Sequence, residues 1–186
     1  MRERLEITPS DIIDFWYTDA IKSQWFNATP QLDQEIRRRF EGIWQRAAAG
    51  GLDHWGESSA GSLALAIILD QFPLNMFRGG PASFSTEAKA IVVTLTALTR
   101  GLDKRLERQR RAFLYMPLMH SENMMHQELS VELFTQAGLD ENAVFAKHHR
   151  DIIRRFGRFP HRNAILGRHS TAEEIAYLAS DQAFKG

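Results

Sequence analysis

The sequence has no cysteine. That removes thiol nucleophiles, thiolate zinc clusters and any disulfide framework, and it leaves the cytoplasm as the expected location because nothing calls for an oxidising compartment. Long apolar runs are missing too. The longest, residues 63–69, has seven residues, against the ~20 that a bilayer crossing needs. The start, Met1-Arg2-Glu3-Arg4-Leu5-Glu6, is charged where an export leader would be apolar, so no leader and no membrane partner are expected. Neither sign of charge dominates. The 23 Lys+Arg face 23 Asp+Glu, a balance that speaks against a protein built mainly for nucleic acid. There is no G-x-S-x-G elbow, P-loop, dinucleotide fingerprint or H-E-x-x-H, so serine hydrolase, nucleotide and zincin chemistry are set aside and no cofactor is expected.

What is present is an ordinary globular composition over 186 residues, 44% hydrophobic and 25% charged. A chain of this length buries enough surface for one core, and no linker divides it, so a single domain over 1–186 is expected. The hydrophobic spacing is helical throughout and no stretch alternates convincingly as a strand, which predicts an all-α fold of antiparallel helical hairpins, seven or eight helices in a bundle or superhelix. Thr8-Pro9 and Thr29-Pro30 read as helix starts; the second leads a stripe of Leu32, Ile36, Phe40, Ile43 and Ala47 that Gly50-Gly51 stop. Residues 63–72 are apolar on nearly every side and should form a buried central helix ending at Pro73, followed by a loop over 74–83. Further helices are marked by Ile91, Leu95 and Leu98; by Leu106, Phe113 and Leu114, capped by Asp103 and stopped at Pro117; and by Met125, Leu129 and Leu133, capped by Ser121. Two more carry Phe145, His149, Ile152 and Phe156 up to Gly157, and a capping box starting at Ser170-Thr171.

The charge is uneven. Residues 1–93 carry 9 basic and 12 acidic groups, residues 94–186 carry 14 and 11. The basic excess is densest over 147–168, where seven Lys/Arg stand with His148, His149 and His161 and one acid, Asp151. Phe159-Pro160 stiffens the turn that holds Arg158, His161, Arg162 and Asn163, and guanidinium forks suit carboxylate or phosphate. Their alternative role is an internal salt-bridge network with Asp70, Glu122 and Asp151. His120, just before a helix start, can titrate near neutral pH, and Glu122 beside it would be held ionised by the helix dipole. Asp70 closes the most apolar helix and needs a cation, for which Arg78 or an arginine of the 158–162 loop is the expected partner in a structural ion pair. A metal is not expected: His148 and His149 are adjacent and diverge by about 100° on a helix. The basic stretch from Arg100 to Arg111 reads as a solvated helix.

Several strings resemble a known family. Asp70-Gln71-Phe72-Pro73-Leu74-Asn75-Met76-Phe77-Arg78, then 115–122 (Tyr115-Met116-Pro117-Leu118-Met119-His120-Ser121-Glu122), then Phe156-Gly157-Arg158-Phe159-Pro160-His161-Arg162-Asn163 stand in one order. With Asp14-Phe15-Trp16, Leu166-Gly167-Arg168, Ser170-Thr171 and Glu174, they resemble the bacterial family catalogued as domain of unknown function 924 over nearly the whole chain. The resemblance implies an all-helical, tetratricopeptide-like fold with no established activity. Leu74 stands where that family's pattern favours arginine, which weakens an anion site at this position. Two functions follow from the residues. One is a helical scaffold whose groove binds a peptide or small anionic ligand through Arg78, Tyr115, Arg158, Arg162 and Asn163. The other is a hydrolase- or lyase-type enzyme using His120, Glu122 and His161 as catalytic groups, with Arg158 and Arg162 holding substrate charge.

Overall fold

The computed structural model describes residues 6–184; the rest of the charged N-terminal segment, residues 1–5, and the last two residues lie outside them. Among the described residues every regular element is helical. The first, α1 (Pro9–Trp16), begins as expected: Thr8 Oγ1 accepts from the Asp11 N–H, and the Asp11 carboxylate accepts from the Thr8 N–H at 2.8 Å, a capping box. After a single turn, α2 (Asp19–Lys22), comes α3 (Pro30–Ala48), capped by Thr29 and burying the five-residue stripe read from the sequence.

The centre is one continuous rod, α4 (Ser59–Ala66), a π-helical turn (Ile67–Gln71) and α5 (Phe72–Met76). Residues 61–73 are buried on every face. Pro73 does not end it. A proline cannot donate to the carbonyl four residues back, here Leu69, and in this fold the Leu69 carbonyl accepts from Thr86 Oγ1 at 2.6 Å. The widened π turn and the threonine together accommodate the proline. Pro117 does not stop α7 (Arg108–His120) either: it lies inside that helix, where the carbonyl four residues back is that of Phe113, and the next carbonyl, that of Leu114, accepts from Thr94 Oγ1 at 2.8 Å. Both threonines belong to one stretch, at the start and in the middle of α6 (Glu87–Thr99).

Around this rod pack α1, α3, α6 and α7, with α7, α8 (Met124–Gln136) and α9 (Asp140–Phe156) as successive antiparallel neighbours. Phe15, Trp16, Phe40, Phe72 and Phe113 meet ring to ring in the main core; burying each such side chain is worth roughly 1.5–3 kcal/mol. A smaller cluster of Ile152, Ile153, Phe159 and Tyr177 seats the C-terminal stretch and α10 (Ala172–Leu178). Three local expectations shift. Asp103 begins a 3-10 turn and α7 starts after Glu107; Asn123, not Ser121, caps α8, with its side chain accepting from the Met125 N–H; and the C-terminal capping box pairs Thr171 with Glu174, one residue later than the first serine suggested. Among the described residues no helix is long and apolar enough to cross a membrane.

Candidate functional site

Three segments far apart in sequence meet where α7 ends. Asp70 comes from the π turn of the central rod, so its side chain is carried deep into the protein and is 3% exposed. His120 ends α7, and because that helix continues past Pro117 its imidazole reaches Asp70 of the π turn. The Asp70 carboxylate accepts from His120 Nδ1, with both oxygens within 3.0 Å, and the neighbouring Gln71 side-chain amide donates to the same carboxylate. Asp70 is therefore buried and paired as expected, but its partner is His120, not an arginine. The reason is geometric: the rod points Asp70 at the end of α7, whereas Arg78 lies beyond α5, where its fork grips Asp33 of α3 at 2.7 and 3.0 Å. His120 Nε2 makes no hydrogen bond within the described protein, and the side chain is 18% exposed.

The third segment is the 158–168 loop, which starts where Gly157 takes the left-handed conformation (φ 71°) that ends α9. Its Phe159 N–H donates to Glu122 at 2.8 Å, and Arg162 Nη2 donates to the His120 carbonyl at 2.8 Å. The start of the 120–123 turn and the 158–163 loop thus share one place. Each guanidinium there is held by a carboxylate. Arg162 pairs with Glu87 and lies between the rings of Phe84 and Phe159; Arg168 grips Glu122 with two bonds of 2.7 and 2.9 Å; Arg158 grips Glu174 likewise at 2.7 and 2.9 Å. Asn163 joins these pairs, donating to Ser170 and Glu174 and accepting from Arg168.

The electrostatics follow from these partners. Burial pushes the Glu122 carboxyl up, but the Arg168 fork and the Phe159 N–H outweigh it and hold it below the usual range. The Arg158 fork takes Glu174 down to about 2. Burial raises Glu87 against the pull of Arg162. Burial, with the Arg162 charge beside it, takes His161 down to about 4, so its ring is neutral at neutral pH. Burial takes His149, a core residue donating to the Phe145 carbonyl and packed on Phe159 and Phe184, down to about 3. With three guanidinium groups set against Glu87, Glu122 and Glu174, an anion arriving here would have to displace a carboxylate.

Two candidates lie elsewhere. Arg78 is on the α3 side with Asp33 and Asn75. Tyr115, on α7, donates to the buried Asp103 at 2.8 Å, and burial with that carboxylate raises its phenol. Glu87 and Phe84 were not singled out from the sequence. Their contacts with Arg162 span 75 residues or more, and no local spacing announces such a pairing. Among the described residues no three His, Asp or Glu side chains gather as a metal site would require.

Compared with known proteins, no curated protein matches this chain. A solved structure, a protein of unknown function, ATU0120, from Agrobacterium tumefaciens, is similar at 39% identity, covering 92% of this chain and 96% of that one with a TM-score of 0.88. The model of the family described as "Bacterial protein of unknown function (DUF924)" matches residues 12–182, every segment of the His120 site included, and the chain belongs to that family.

Proposed function

We propose that this chain is a helical scaffold carrying one polar ligand site, centred on His120, for a small molecule that presents an O–H or N–H. The observation that carries it is the Asp70–His120 pair. A buried carboxylate accepting from Nδ1 fixes the ring and its tautomer, and leaves the Nε2 lone pair directed away from Asp70 as an acceptor. His161, neutral and beside it, offers a second imidazole. Arg162 serves the site through the His120 carbonyl, and Arg158, Arg168 and Asn163 hold the loop that frames it. The helical hairpins α7–α8–α9 support a tetratricopeptide-like arrangement of the scaffold, and the cysteine-free composition supports a cytoplasmic location.

A second reading, hydrolase- or lyase-type catalysis, is favoured by the same pair, because a carboxylate-oriented imidazole is how a general base is held in acyl-transfer sites. In it His120 takes the proton and His161 is the second acid/base group.

Diethyl pyrocarbonate, which acylates neutral, accessible imidazoles, tests the first reading. Peptide mapping by mass spectrometry should find His120 modified, and modified more slowly in Asp70→Asn, while exposed His54 reacts at one rate in both. No modification at His120, or a rate indifferent to Asp70→Asn, overturns it. For the second reading, hydrolysis of p-nitrophenyl acetate should be faster with wild type than with His120→Gln; equal rates contradict it.

A further inference from the structure

The cations of this protein divide into two populations. Every arginine from Arg150 to Arg168 has a carboxylate partner, whereas Arg100, Lys104, Arg105, Arg108, Arg110 and Arg111 have none within 4 Å among the described residues. Arg100 donates to the Gly56 carbonyl and Arg110 lies over the Tyr17 ring. Lys104 and Arg111 instead line one groove, and Arg108 lies beside its Ala137 end. Its walls are α6 and α8 with α7 beneath, its volume is about 410 Å³, and its apolar lining is Leu95, Leu98, Leu129, Leu133 and Ala137. None of these five is fully buried.

Lys104 and Arg111 line the groove, and the Arg108 guanidinium lies 3.8 Å from where a Cβ on Gly138 would stand, next to Ala137. Arg111 is fixed by donating to the Leu106 and Lys104 carbonyls, so its charge is held in position without a counter-charge. The acidic groups on the same elements do not cancel these cations in contact. Asp103, which also lines the groove, is buried and bound by Tyr115; Glu107 is an exposed residue just before α7; Glu132 accepts from Gln136; and Glu87 and Glu128 are taken up by Arg162 and by Arg150 and Arg154. A half-exposed leucine channel with uncompensated cations along it complements an amphipathic segment of opposite charge.

We propose that this groove docks an acidic amphipathic helix of another protein, with its aliphatic stripe between α6 and α8 and its carboxylates against Lys104, Arg108 and Arg111. The docking does not use His120, so it stands apart from the ligand site. The probe is a fluorescein-labelled helical peptide of about 16 residues with leucine on one face and glutamate on the other. Fluorescence anisotropy should show saturable binding that weakens as salt is raised and is about tenfold or more weaker with Lys104→Glu/Arg108→Glu, whose side chains are exposed, or with glutamine in place of the peptide's glutamates. Methyl NMR of the unlabelled complex should shift Leu98, Leu129 and Leu133, an independent readout that does not depend on any variant folding. No binding by wild type, equal binding of the glutamine peptide, or shifts confined to other leucines overturns the proposal. So does a wild-type dimer in sedimentation that Lys104→Glu/Arg108→Glu dissociates, because a second copy would then be the occupant.

Discussion

Arg162 is the residue on which two roles separate most sharply. A guanidinium kept for a ligand would be dispensable to folding; one bonded into the protein would not. In the structure it is 6% exposed, bonded to Glu87 and to the His120 carbonyl, and flanked by Phe84 and Phe159 with centroid distances of 4.5 and 4.7 Å. Arg162→Ala strands Glu87, whose side chain is only 21% exposed and whose carboxyl burial already raises, and removes the donor on the His120 carbonyl. Removing one member of a buried pair costs about 3–5 kcal/mol, and the partial exposure of Glu87 puts this case near about 3. For a chain of this size that corresponds to a fall of roughly 6–12 °C in Tm. Arg162→Lys should recover little, since one ammonium cannot bridge both acceptors while lying flat between two rings. Urea denaturation followed by tryptophan fluorescence measures the loss, and a double-mutant cycle with Glu87→Gln should give a coupling of about 1.5–3 kcal/mol. An Arg162→Ala midpoint within ~0.5 kcal/mol of wild type would refute the reasoning and return the residue to the ligand-contact role expected from the sequence.

Acid should destabilise the protein earlier than carboxylates alone would. His149 and His161 have folded values of about 3 and about 4, below the ordinary imidazole, so the unfolded chain takes up their protons first. The stability they contribute is present above about pH 6.5 and is lost as pH falls towards 4. Urea midpoints measured across that window should drop steeply, and His149→Phe should flatten the slope. Thr86→Val removes the donor on the Leu69 carbonyl and the acceptor of the Trp44 indole N–H; it should cost about 2–3 kcal/mol in the same denaturation assay, against almost nothing for exposed Thr99→Val. Gly61→Ala would drive its Cβ into the Trp55 carbonyl oxygen, and calorimetry should show a loss of about 3 kcal/mol, whereas Gly42→Ala, with open space around it, should be neutral or stabilising.

The helices were legible because their signals are local. Thr8, Thr29 and the stripe from Leu32 to Ala47 each act within a few residues, and the structure places them as read. Pro73 misled for the complementary reason: the donor that makes it tolerable, Thr86, comes from the start of α6 and cannot be inferred from the residues around the proline; Pro117, expected to stop α7, lies inside it. Ser121 had the cap signature, yet its hydroxyl is engaged with His126 Nδ1 and the Asn123 N–H, and Asn123 takes the cap. At the site, the sequence put His120, Glu122 and the 158–163 loop on the same short list, and they do meet. What it could not assign was pairing. Asp70 chose a histidine 50 residues away and Arg162 a glutamate 75 residues away, contacts created only when the central rod, α6 and α7 are packed.

The central claim is that buried Asp70 holds His120 with its proton on Nδ1 and leaves Nε2 as an acceptor. Long-range ¹H–¹⁵N correlation NMR of the imidazoles at mildly alkaline pH, where histidines are neutral, reads this directly. The account predicts that His120 is the Nδ1–H tautomer in wild type and that Asp70→Leu, which cannot accept a hydrogen bond, shifts it towards the Nε2–H form favoured by free imidazoles. A wild-type His120 carrying its proton on Nε2, or a tautomer unchanged by Asp70→Leu in a folded variant, would contradict it.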